Sequence, residues 1–174
     1  MKKTISILKL VAFSTIITLA CSNSIYAQKK GQVKMMHSVS AKKMDVAKIE
    51  AILEMKGVEK NGEFKITVPQ NDLDIEVDGF KIIPPMGLGT WIAFTPTSDG
   101  AMIMGDIVIT ETDLKQVQFE VIKQGLTITA IHNHFVRNHP NVMYMHIGGS
   151  VPAEQMAMKA KAVLNKVKEM RGAD

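Results

Sequence analysis

The sequence predicts an α+β fold: an antiparallel sheet of about six short strands with helices packed on it. Short alternating apolar segments are separated by tight-turn residues such as Asp78-Gly79 and Ser98-Asp99-Gly100, the mark of antiparallel hairpins. Other segments repeat apolar residues at helical spacing. Neighbouring strands joined by short turns pair with each other, which leaves the helices to cover the sheet.

The chain opens on an address. In residues 1–27, Lys2 and Lys3 precede an apolar stretch from Leu10 to Ala20 and a small, polar run from Cys21 to Ala27. That order is the build of a bacterial export signal. Cleavage after Ala27 yields a soluble periplasmic or extracellular protein. Lipid anchoring through Cys21 is the alternative, although Thr18 in "ITLAC" stands where an aliphatic residue is usual.

Losing the leader removes Lys2, Lys3 and Lys9 and no acid, so the formal net charge falls from +4 to +1. No polybasic patch is left to recruit nucleic acid. The single cysteine leaves as well, and with it any disulfide, thiol nucleophile or thiolate metal ligand. About 147 residues remain, enough for one domain with its own core. No second long apolar run is present to form a transmembrane segment.

Residues 28–42 are polar and aperiodic, a flexible lead-in carrying His37. The single domain, residues 43–174, starts with a helix on Val46, Ile49, Ile52 and Leu53, with Gly57 as its stop. "EFKITVP" alternates as a strand. "LDIEVDGFKII" forms a hairpin about Asp78-Gly79, and "GTWIAFTPTSDGAMIMGDIVI" two more strands about Ser98-Asp99-Gly100. Thr110 and Asp113 read as a capping box for a helix with Leu114, Val117, Val121 and Ile122 on one stripe, ending at Gly125. "LTITAIHNHF" and "NVMYMHI" are strands. Ser150 caps a last helix whose face is Met156, Ala160, Val163, Leu164 and Val167. The α-β-β grouping recurs, hinting at a degenerate internal duplication.

Four of the five histidines fall between residues 130 and 149. If "LTITAIHNHF" and "NVMYMHI" pair symmetrically, His132 stands opposite His146 and His134 opposite Tyr144. Strand alternation then puts these four on one face with Ile128 and Ala130, while Asn133 points the other way. Three neutral imidazoles with an open position suit a divalent metal, zinc first and copper second. Asp106, an acid among apolar strand neighbours, is the carboxylate to complete or orient the site, and Glu111 is the second choice. Arg137 can pair with an anionic ligand at the mouth, and Asn133 and Tyr144 are the other candidate ligand contacts. His139 beside Pro140 reads as a loop residue or a substrate contact. The competing reading is a hairpin end whose histidines are hydrogen-bonded and hold no metal.

Met102 with Met104, and Met143 with Met145, share strand faces. They read as a thioether contribution to a copper site or as core filling. No nucleophile elbow and no phosphate-cradling glycine loop are present.

The segments "TVPQNDLDIEVDG", "GLGTWIAF", "AMIMGDIVITETDL", "LTITAIHNHF" and "VMYMHIGG" occur in the order seen in the LppY/LpqO family, exported bacterial proteins built around a domain of unknown function. The resemblance covers roughly Met44 to Val167. It implies export, one α+β domain and a focal hairpin, with Asp106, His132, Asn133, His134, Pro140 and His146 as the matching positions; it carries no assigned activity. Two functions follow from the residues: a small extracytoplasmic protein binding a metal ion or small-molecule ligand, or a metal-dependent hydrolase of a cell-envelope or small extracytoplasmic substrate. The hydrolase needs a general base, for which Asp106 and Glu111 are the nearby carboxylates. No second carboxylate is clearly placed, so binding ranks first.

Overall fold

The computed structural model describes residues 43–172. The expected export signal with its cleavage position, Cys21 and His37 lie outside them. Helix α1 (Val46–Leu53) is capped by Asp45, whose carboxylate accepts the Lys48 N–H at 3.2 Å, and it buries Ile49 and Leu53. It ends at Glu54 in a left-handed conformation (φ 57), short of the expected stop at Gly57. Gly57 has a different reason to be glycine: a Cβ there would stand 2.4 Å from the Phe64 ring.

Strands β1 (Val58–Lys60) and β2 (Glu63–Pro69) are joined by Asn61-Gly62, both at positive φ, a turn that matches strand twist. The short, charged β1 carries no apolar alternation, and the sequence reading missed it. Strands β3 (Ile75–Val77) and β4 (Phe80–Ile82) flank Asp78-Gly79 as expected, and a 3-10 turn (Pro84–Met86) leads to β5 (Gly89–Pro96) and β6 (Ala101–Thr110). Helix α2 (Leu114–Lys123) follows, then β7 (Thr127–His132), β8 (Asn138–His139), β9 (Val142–Val151) and helix α3 (Ala153–Met170).

Three expected helix details change. Thr110 is the last residue of β6, and Asp113 stands at the N-cap of α2, its carboxylate accepting the Thr110 N–H. The capping box is therefore half formed. Ile122 is exposed, and Glu120 lies buried beside Val117 and Val121. Ser150 belongs to β9, which runs on to Val151, and Pro152 precedes α3. The expected α3 face is buried throughout.

All strand pairs are antiparallel, in a six-stranded sheet ordered β1-β2-β5-β6-β9-β7 and a three-stranded sheet ordered β4-β3-β8. The three helices cover one face of the large sheet, where Ile92, Phe94, Ile103, Ile107, Met145 and Ile147 meet Ile49, Leu53, Val121, Met156 and Val163. On the other face, Val108, Val142 and Tyr144 pack against Ile75, Ile82 and Leu88 of the small sheet and its flank. That cover is partial. Strand β6 is buried on both faces from Gly105 to Ile109, but Met102 and Met104, on the outer face, are exposed. Asp106 sits on the outer face where the cover ends, two residues from exposed Met104 and two from buried Val108.

Arg171, just past α3, clamps this arrangement. Its guanidinium donates to Asp113 at 3.0 Å, to Asp72 at 3.2 Å, to Gln70 and to the Val108 carbonyl at 2.6 Å.

Candidate metal centre

The β7–β9 register differs from the symmetric one by two residues: Ala130 faces His146 and His132 faces Tyr144. A shift of two preserves which face each side chain takes, so His132 and His146 still share the outer face. A bulge at Thr129 produces this phase. Ile128 pairs with Ile147 and packs against the helix-side core, contrary to the expectation that it sits with the histidines. The extra residue flips everything after it, which sends Ala130 and His132 outward.

His134 lies beyond the end of β7, so strand alternation does not orient it. Stacking does. Its ring lies 3.4 Å from that of Tyr144, centroid to centroid, at an interplanar angle of 9°. Tyr144 is fully buried, and its hydroxyl donates to the Gly87 carbonyl at 2.8 Å. Burial, reinforced by the negative Asp106, pushes the phenol up to about 12, so it stays neutral and bonded to Gly87. Tyr144, a ligand-contact candidate in the sequence, thus presents its ring to His134 and turns its hydroxyl away. Tyr144→Phe is expected to lower unfolding free energy by about 1 kcal/mol in a urea titration. It should leave metal affinity within a few-fold, because the stacked ring remains.

Ligating atoms of His132, His134 and His146 all lie within 4.8 Å of one another. Nε2 of His132 and Nε2 of His146 are 2.7 Å apart, a hydrogen bond in which one imidazole donates to the other. Asp106 faces His146 across the β6–β9 pair. One carboxylate oxygen is 3.6 Å from His146 Nε2, and the other is 3.8 Å from His134 Nε2. These separations are too long for hydrogen bonds. They suit donors to a shared ion, since tetrahedral ligands about 2.1 Å from zinc stand roughly 3.4 Å apart. Asp106 Oδ1 is buried and has no hydrogen-bond partner, although buried polar atoms are nearly always paired. Burial, helped by the charges of the other two histidines, holds His134 below the usual histidine range against the opposing pull of Asp106. The neutral imidazole is the form that binds metals.

Other candidates stand apart from this cluster. Asn133 donates to Asn141 at 3.2 Å and Asn141 donates to Glu111 at 2.8 Å, a chain that ties the end of β7 to the end of β6. Glu111 lies just past the end of β6, five residues beyond Asp106, a backbone separation of at most about 17 Å at strand rise. Arg137 makes two hydrogen bonds to Asp78, at 2.8 and 2.6 Å, pinning the loop to the β3–β4 hairpin. This pairing holds the Asp78 carboxyl below its usual range. His139 lies exposed in β8 opposite Glu76, and Pro140 follows it through a cis peptide bond. Met143 and Met145 face the helix-side core. Trp91, which the sequence reading did not single out, stands directly opposite Asp106 on β5. Cross-strand partners share a face, so its indole borders the site.

Three imidazoles and a buried carboxylate on the outer face of an antiparallel sheet define an α+β domain with a candidate mononuclear metal centre. Residues 47–166 match the family described as Domain of Unknown Function (DUF1259), and the chain belongs to that family. No curated protein and no solved structure matches it.

Proposed function

We propose that this is an exported binding protein whose His132, His134, His146 and Asp106 hold one divalent metal ion, zinc first and copper second, with a fifth coordination position taken by a small ligand. The observation that carries the reading is Asp106 Oδ1, buried without a hydrogen-bond partner and 3.6 Å from Nε2 of His146. An outer-shell carboxylate bonds the ring nitrogen a histidine does not use for the metal. Asp106 instead approaches Nε2 of both His134 and His146, with Nε2 of His132 beside them, as a fourth ligand does. The order of sequence motifs supports a likeness to LppY/LpqO-type proteins. Hydrolysis ranks second. With Asp106 ligating and Glu111 far along the strand, no other carboxylate of the sequence candidates stands near enough to activate water.

Binding requires deprotonated imidazoles, and a histidine ordinarily titrates near ~6.5. Zinc affinity is therefore expected to fall steeply as pH drops from about 7 to about 5. His134, held below the ordinary value, stays available through the upper part of that window. Competition with a chromophoric chelator across the range measures this; a flat profile rules out imidazole ligation.

Export is tested separately. Mass spectrometry of the mature protein is expected to find Gln28 as the N-terminus. A diacylglyceryl group on Cys21 would instead place the protein on a membrane surface.

A further inference from the structure

The small sheet leaves part of the outer face uncovered, next to the histidines. Trp91 borders Asp106 there, with Met102 and Met104 exposed alongside. Lys65, one strand further out, holds its ammonium 4.2 Å from the centre of the Trp91 ring and makes no ion pair among the described residues. The other charges on this stretch of face, Lys60 and Glu63, stand opposite each other across β1 and β2.

Charge counting limits the occupant. A divalent ion, one carboxylate and three neutral imidazoles carry a net charge of +1, and Lys65 adds a second positive charge. Between them lies an indole face, which favours a flat apolar body. Neighbouring strands are about 4.8 Å apart, so β9, which carries His146, and β2, separated by β6 and β5, set a span of about 14 Å, which the lysine stem shortens by reaching back over Trp91 of β5.

Resting on the metal reading above, we propose that this face binds a small planar organic dianion: one carboxylate at the metal's open position, the flat body against Trp91, and the second anionic group on Lys65. Lys65 then serves as a swinging clamp, drawn over the ring when the face is free and turned to the ligand when it is filled.

The test uses the mature chain loaded with Co²⁺, whose visible spectrum reports the metal site independently. Terephthalate, isophthalate and benzoate are then titrated, read by the cobalt spectrum and by emission from Trp91, the only tryptophan in the chain. Terephthalate or isophthalate is expected to bind at least about tenfold tighter than benzoate, the worth of one charge-assisted contact. Lys65→Met should erase that preference and leave benzoate unchanged. Trp91→Leu should weaken all three in the cobalt spectrum, with Trp91→Phe retaining most of the binding. A normal cobalt spectrum with no preference for the dianions, or with a preference that survives Lys65→Met, overturns the proposal and leaves the metal site standing. Absence of a cobalt spectrum removes both.

Discussion

His132→Ala and His146→Ala are each expected to reduce zinc affinity by at least about a hundredfold, while His139→Ala and Glu111→Gln leave it within a few-fold. Both histidines sit on strands, one on either side of the β7–β9 pair, with their Nε2 atoms 2.7 Å apart. Among the described residues no histidine outside the cluster is positioned to replace either, because His139 belongs to the small sheet. Losing one of the four proposed donors leaves a site whose remaining ligands hold the ion weakly. The folding cost should be small, since His132 is exposed and His146 half-buried. Surface changes usually stay within about 0.5 kcal/mol. Thermal denaturation with and without zinc separates the two effects: wild type gains stability from the ion, and the variants unfold near the wild-type metal-free temperature in either condition.

Asp106→Asn is expected to separate stability from binding in opposite directions. The carboxylate is buried beneath the histidines, and one oxygen has no partner. A buried polar group left unsatisfied costs roughly 1–3 kcal/mol. An amide is neutral and can donate to a neighbouring imidazole, so the metal-free variant should be as stable as wild type or more so. As a direct ligand, Asp106 supplies the one negative charge of the donor set, and its loss should abolish high-affinity binding. A drop of only about 10–100-fold would make it an outer-shell partner instead. Calorimetric titration for affinity and urea unfolding of the metal-free proteins for stability give both numbers on the same samples.

Much of the fold was legible because its punctuation is local. Asp78-Gly79 forces a tight hairpin whatever surrounds it, and the Met156-to-Val167 stripe buries one face by helical periodicity alone. The histidine face was legible for the same kind of reason: His132 and His146 keep their side of the sheet under any even shift of register. What alternation cannot count is an inserted residue. The bulge at Thr129 moves Ile128 into the helix-side core, and a period-2 pattern has no mark for it. His134 reached the site through stacking on Tyr144 rather than along a strand, so the right face was assigned for a reason that did not apply.

The small sheet was hidden because three-residue strands carry too little pattern to show which sheet they join. A trace of it exists in "GDIVI", where an unbroken buried run signals cover on both faces. Trp91 became part of the site only when β5 paired with β6. That register depends on the whole sheet, and no local spacing encodes it.

The centre itself is tested most directly by calorimetric titration of Zn²⁺ into the protein, purified without a histidine tag and cleared of metal. One ion per chain is expected, bound far more tightly than by a variant lacking His132, His134 and His146. Equal heats and affinities for that triple variant and wild type would mean that the imidazoles and Asp106 form a structural cluster and hold no metal.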